Sequence, residues 1–63
     1  MPIANVQIME GRSQEQKELL ISKVTESIAE ALDVPTQNVR VLIQELPKGN
    51  FGIGGVSAEK LGR

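Results

Sequence analysis

Apolar and polar positions alternate at the start of the chain. Over residues 3–9, Ala4, Val6 and Ile8 fall on one face while Asn5 and Gln7 fall on the other. A period of two predicts a half-buried strand, and Glu10-Gly11-Arg12 reads as the turn that leaves it. The period then changes. Leu20, Ile21, Val24, Ile28, Ala31 and Leu32 recur at steps of three and four, which predicts an amphipathic helix reaching about Leu32. Lys17, Glu18, Lys23, Glu26 and Glu30 are expected away from its apolar stripe. Ser13 and Gln16 are spaced as a capping box, each side chain reaching the other's backbone N–H. Glu15 in the first turn suits the positive end of the helix dipole. Asp33-Val34-Pro35 ends the helix, because the residue before a proline avoids the α region.

A second alternation runs from Val39 to Leu46. Val39, Val41 and Ile43 share one face; Arg40, Leu42 and Gln44 share the other. Strand, long helix and strand make a βαβ unit, which implies a parallel pair with a right-handed crossover. The expected fold class is therefore α/β (α+β in the broader sense). Two strands and one helix cannot cover both faces of a sheet, so other copies of the chain must help. From Pro47 the chain turns glycine-rich, with Gly49, Gly52, Gly54 and Gly55 around Phe51 and Ile53. A short hairpin or flap is expected there, then a loose tail from about Ser57. With no repeat and no long linker, residues 1–63 read as a single domain.

Composition sharpens the expectation of self-association. A 63-residue chain buries only about 60% of the surface its unfolded form exposes. Domains of this size are stabilised by disulfides, a structural metal or oligomerisation. The absence of Cys and His removes disulfides and argues against a zinc site. Yet 40% of the residues are hydrophobic. A net charge of −1 with signs interspersed gives no basic footprint for nucleic acid, and the lone aromatic, Phe51, cannot build a base-stacking platform. The apolar runs are too short to span a membrane, and no signal peptide is evident. A soluble cytoplasmic protein is the expectation.

The inventory of reactive groups is short. Without His or Cys, the commonest general base and the thiol nucleophile are missing, and no His activates Ser13, Ser22, Ser27 or Ser57. Gly52-Ile53-Gly54-Gly55 resembles a phosphate loop only faintly, since no lysine or capped helix follows it at P-loop spacing. Glu10 and Glu45 lie at strand ends and read as solvated acids. Pro2 is a different case. A small second residue allows removal of Met1, which would turn an amide nitrogen into a secondary amine. A free α-amine has a pKa of about 7.7–8.0, and burial or nearby cations lower it. A fall of about one unit raises the neutral fraction at pH 7 from roughly 15% to roughly 60%, a poise that suits a general base. Arg12 sits beside a helix N-terminus, which already favours anions. Arg40 interrupts an apolar strand, either as an interface ion-pair partner or as a ligand clamp. Guanidinium groups fit carboxylates bidentately, so two arginines and an amine suit a small dicarboxylate or oxo-acid.

Several segments together resemble the 4-oxalocrotonate tautomerase family: Met1-Pro2-Ile3, Glu10-Gly11-Arg12-Ser13 with Glu15-Gln16-Lys17, Val39-Arg40-Val41, and Lys48-Gly49-Asn50-Phe51-Gly52-Ile53-Gly54-Gly55. The similarity spans nearly the whole chain. It implies a βαβ subunit with a C-terminal hairpin, paired into dimers and assembled as a homohexamer with shared sites. It implies a cofactor-independent isomerase of aromatic-compound breakdown acting on 2-hydroxymuconate, with no metal. Pro2 would move the proton, and Arg40 would bind the reacting end and stabilise enolate charge. Arg12 would hold the far carboxylate, and Phe51 would wall the pocket and keep it dry. Met9, through its backbone, and Asn38, ahead of the strand arginine, complete the implied binding set. Asn38 stands where the family often carries Ser, and either side chain can hydrogen-bond. Asn50 stands where relatives often carry His, and no role attaches to it.

Two other readings are open. The same scaffold could hydrate, dehalogenate or decarboxylate a small unsaturated acid, although such chemistry needs a further acid or base. Alternatively, the chain is a non-catalytic oligomerisation module in which Arg12 and Arg40 form interface ion pairs.

Overall fold

In the computed structural model, which describes residues 1–63, strand β1 spans Ile3–Met9 and helix α1 spans Gln14–Leu32. Strand β2 spans Arg40–Leu46, and the two-residue strands β3 and β4 cover Gly52–Ile53 and Val56–Ser57. Short 3-10 turns at Thr36–Asn38 and Lys48–Asn50 lead into and out of β2. β1 and β2 pair in parallel, from Ile3 opposite Arg40 to Met9 opposite Leu46. The crossover expected of a βαβ unit is thus present, with α1 as the connection.

The alternation read from the sequence is the alternation observed. Ala4, Val6 and Ile8 are half-buried with Val41 and Ile43, whereas Asn5, Gln7, Arg40, Leu42 and Gln44 are exposed. The second strand begins at Arg40 rather than Val39. Val39 closes the preceding 3-10 turn, its N–H donating to the Thr36 carbonyl, and is 8% exposed.

α1 starts as its sequence dictates. The Gln16 N–H donates to Ser13 Oγ at 3.1 Å, and the Ser13 N–H donates to Gln16 Oε1 at 3.0 Å. It ends at Asp33, which takes the left-handed conformation at φ 54°. The Val34 N–H then donates to the Ala29 carbonyl, the six-to-one bond of a Schellman closure. The packed stripe differs from the expected one. Lys17, Leu20, Val24 and Ile28 are half-buried, while Ile21, Ala31 and Leu32 are exposed. Lys17 therefore lies on the stripe rather than away from it. Its stem shares the apolar surface, a common arrangement for a long amphipathic side chain, and its ammonium pairs with Glu45 Oε1 of β2 at 2.9 Å.

Beyond β2, the hairpin forms as expected. Gly54 and Gly55 make its two-residue turn with φ of 61° and 88°. Two successive positive φ angles are the pattern of a type I′ turn, which glycine adopts without a Cβ clash. The tail is not loose. Residues 58–62 form hydrogen-bonded turns, and Ala58 is completely buried.

The single chain has almost no core of its own: Val39 and Ala58 are its only buried residues. Ile3 and Leu42 on the outer sheet face, and Leu19 and Leu32 on the helix, are all more than half exposed. The radius of gyration is 14.6 Å, against about 11 Å for a compact domain of this length. The accessible surface is 4823 Å², where a compact monomer of this mass would show roughly 3950 Å². No helix is long and apolar enough to cross a membrane.

Candidate active site

The parallel pair sorts the sequence-predicted residues into two groups. At the start of the strands, Pro2 meets Arg40 through the backbone, the Arg40 N–H donating to the Pro2 carbonyl at 2.9 Å. The Arg40 side chain shares the outer face of Ile3, while Pro2 shares the face of Ala4. Asn38 belongs to the 3-10 turn just ahead of Arg40, held by its N–H to the Pro35 carbonyl. At the far end, Met9 is the last residue of β1, and Arg12 follows in the turn to the helix. Phe51 follows the 3-10 turn that leaves β2 at this same end. Six steps of about 3.3 Å separate Ile3 from Met9, or roughly 20 Å. One chain therefore cannot bring its own Pro2 and its own Arg12 to a single small dicarboxylate.

The local settings follow from the backbone. Pro2 is half-buried, in phase with Ala4 and Val6, while Met1 before it is 78% exposed. Arg40 points with Leu42 and Gln44 to the outer sheet face, opposite to the side that α1 covers. Its Nη1 donates to the Gln37 carbonyl at 2.8 Å and more weakly to the Val39 carbonyl at 3.5 Å. No carboxylate of its own chain neutralises it. Its geometry leaves part of the guanidinium fork available to an anion.

Arg12 lines an open groove of 350 Å³ with Ile8, Gln16, Lys17, Leu19, Leu20 and Lys23. Its floor is aliphatic and its rim cationic. Of the three cations, only Lys17 has a carboxylate partner, Glu45. Arg12 is exposed and makes no ion pair within the chain. The sequence reading placed neither Lys17 nor Glu45 in this arrangement. The available signal was a lysine three residues before Leu20, in register with Leu20, Val24 and Ile28. Glu45 is in phase with Val41 and Ile43 and so faces the helix, where it meets Lys17.

Comparison with known proteins decides the family. Residues 2–61 match the model of the family described as "Tautomerase enzyme". The chain belongs to the tautomerase family. A 2-hydroxymuconate tautomerase of Stutzerimonas stutzeri is 59% identical to it over 63 residues, the full length of both chains. Among solved structures, a 4-oxalocrotonate tautomerase isozyme from Methylibium petroleiphilum superposes with a TM-score of 0.92 at 53% identity, covering 98% of this chain and all of the other. A heterohexameric 4-oxalocrotonate tautomerase from Chloroflexus aurantiacus J-10-fl superposes at 0.91 with 39% identity, covering 97% and 98%. This tautomerase is thus an isomerase, and its relatives favour tautomerisation over the hydration, dehalogenation or decarboxylation weighed above.

Proposed function

We propose that this tautomerase converts 2-hydroxymuconate, or a close unsaturated oxo-dicarboxylate, to its conjugated 2-oxo isomer, with the amine of Pro2 as general base. Residues 1–63 act as one domain. Once Met1 is removed, the Pro2 nitrogen takes the proton from the 2-hydroxyl side of the dienol. The electron pair moves through the conjugated system, and the same nitrogen returns the proton to a distant carbon. Arg40 binds the carboxylate and oxygen at the reacting end and stabilises enolate charge as it develops. Arg12 pairs with the far carboxylate, Asn38 and the backbone of Met9 add polar contacts, and Phe51 excludes water. A dry, cationic pocket disfavours the ammonium form of Pro2, so binding and base tuning arise from the same groups.

The observation that carries this reading is a free pair of arginines at opposite ends of a chain that is 59% identical to a 2-hydroxymuconate tautomerase over its full length. Their separation, together with the extended shape and sparse core, supports sites shared between copies of the chain in a homo-oligomer. A hexamer agrees with the heterohexameric relative. The protein is read as cytoplasmic, needing neither metal nor cofactor.

The experiment is the intact mass of untagged protein together with its turnover of 2-hydroxymuconate against pH. The reading predicts a mass lacking Met1 and a kcat/KM that rises with pH through one ionisation below about 7.7, the lower edge for a free α-amine. A trimmed, assembled protein without turnover would overturn it.

A further inference from the structure

Outside the regular elements, the most firmly held backbone is near the C-terminus. Ala58 is 0% exposed, and its N–H donates to the Phe51 carbonyl at 2.7 Å. The Lys48 carbonyl accepts from the Phe51 N–H at 3.4 Å and from the Glu59 N–H at 3.3 Å. Both polar backbone groups of Phe51 are therefore engaged, one by the turn ahead of it and one by Ala58. The Glu59 side chain lies over the same turn. Its Oε2 is 3.1 Å from the place a Cβ on Gly49 would occupy. The segment is also closed on itself: Leu61, Gly62 and Arg63 donate to the carbonyls of Ser57, Glu59 and Ala58 at 3.0–3.2 Å, and the Lys60 N–H donates to Ser57 Oγ at 3.2 Å. Phe51 itself is 40% exposed in the chain. Its ring is thus not fixed by burial among its own neighbours, and the backbone anchors decide where it projects.

We propose that Ala58–Arg63 is a clamp that sets the position of Phe51, with Ala58 as its central positioning residue. The inference rests on Phe51 as the wall of the substrate pocket. Displacing a group that orients substrate by about 1 Å can cost as much as about 100-fold in rate. A buried alanine is suited to the role because its N–H reaches the Phe51 carbonyl while its small side chain lets the hairpin and the turn close together. Nothing larger fits a site with no exposed surface without moving one of them.

The test compares Ala58→Val and a truncation lacking Glu59–Arg63 with the parent enzyme, each also in a Phe51→Ala background. kcat and KM for 2-hydroxymuconate are read on material shown by sedimentation to be assembled as the parent is. Each change alone is expected to raise KM about 10-fold, within the range available to a misplaced positioning group. In the Phe51→Ala background the same changes should add less than about 2-fold, because groups acting through one another are not additive. Losses that multiply in the double variants, or a KM unchanged in an assembled single variant, would overturn the clamp. Should the truncation not assemble, the Ala58→Val pair decides alone. If Phe51→Ala itself alters neither constant, the pocket-wall reading fails and the clamp fails with it, an outcome distinct from additivity.

Discussion

Arg40 donates to two backbone carbonyls and has no carboxylate partner in its own chain. An ion pair within the chain is thus ruled out, which leaves a carboxylate of a second copy or of the substrate to meet the guanidinium. The proposed site therefore predicts that Arg40→Ala lowers kcat by about 100- to 1000-fold, the usual cost of removing an oxyanion-stabilising donor. Sedimentation should show the assembly intact. A variant that instead dissociates would return Arg40 to the interface role that the sequence left open. Arg12 answers to a different readout. A charge-assisted bond is worth about 1.5–3 kcal/mol, so Arg12→Ala should raise KM for a dicarboxylate by roughly 10- to 100-fold. A monocarboxylate analogue should lose far less. Equal losses on both substrates would detach Arg12 from the far carboxylate.

The elements were legible because each carries its own local signal. The alternation of Ala4, Val6 and Ile8, the Ser13–Gln16 box and the glycine pair at 54–55 each act over a few residues, and each element is present. Ser13→Ala should cost about 1 kcal/mol per chain, the typical value of an N-cap. Urea unfolding at fixed chain concentration measures it, since oligomer stability depends on concentration. A midpoint equal to the parent's would show that packing between copies, not the cap, sets the helix start. The features that were not legible depend on contacts distant in sequence. Lys17 reads as a surface lysine until Glu45, 28 residues away, is placed opposite it. The tail from Ser57 looks loose because nothing in Ala58 announces that its N–H will meet Phe51. The candidate residues could be named from the sequence, and the strand between Pro2 and Arg12 already set them apart; the bond from the Arg40 N–H to the Pro2 carbonyl could not be read from it.

At the scale of the molecule, that division and the thin core lead to one conclusion. The chain is 13 Å thick along its shortest axis, close to a single sheet with one helix laid on it. Such a layer leaves apolar surface that only further layers can cover. With Pro2 and Arg12 separated by the length of β1, the proposed active site is an attribute of an assembly rather than of one chain. On the proposed function, oligomerisation supplies both stability and catalysis. The direct test mixes two variants that fail for different reasons. Pro2→Leu removes the ring amine and, through its bulk, retains Met1; Arg12→Ala removes the far-carboxylate contact. The two are unfolded together, refolded and shown by native mass to form mixed oligomers. Sites shared between copies predict a kcat/KM, read at substrate well below KM, well above the sum of the two parents, because some sites draw an intact Pro2 from one chain and an intact Arg12 from another. Mixed oligomers with no more activity than their parents would contradict the account.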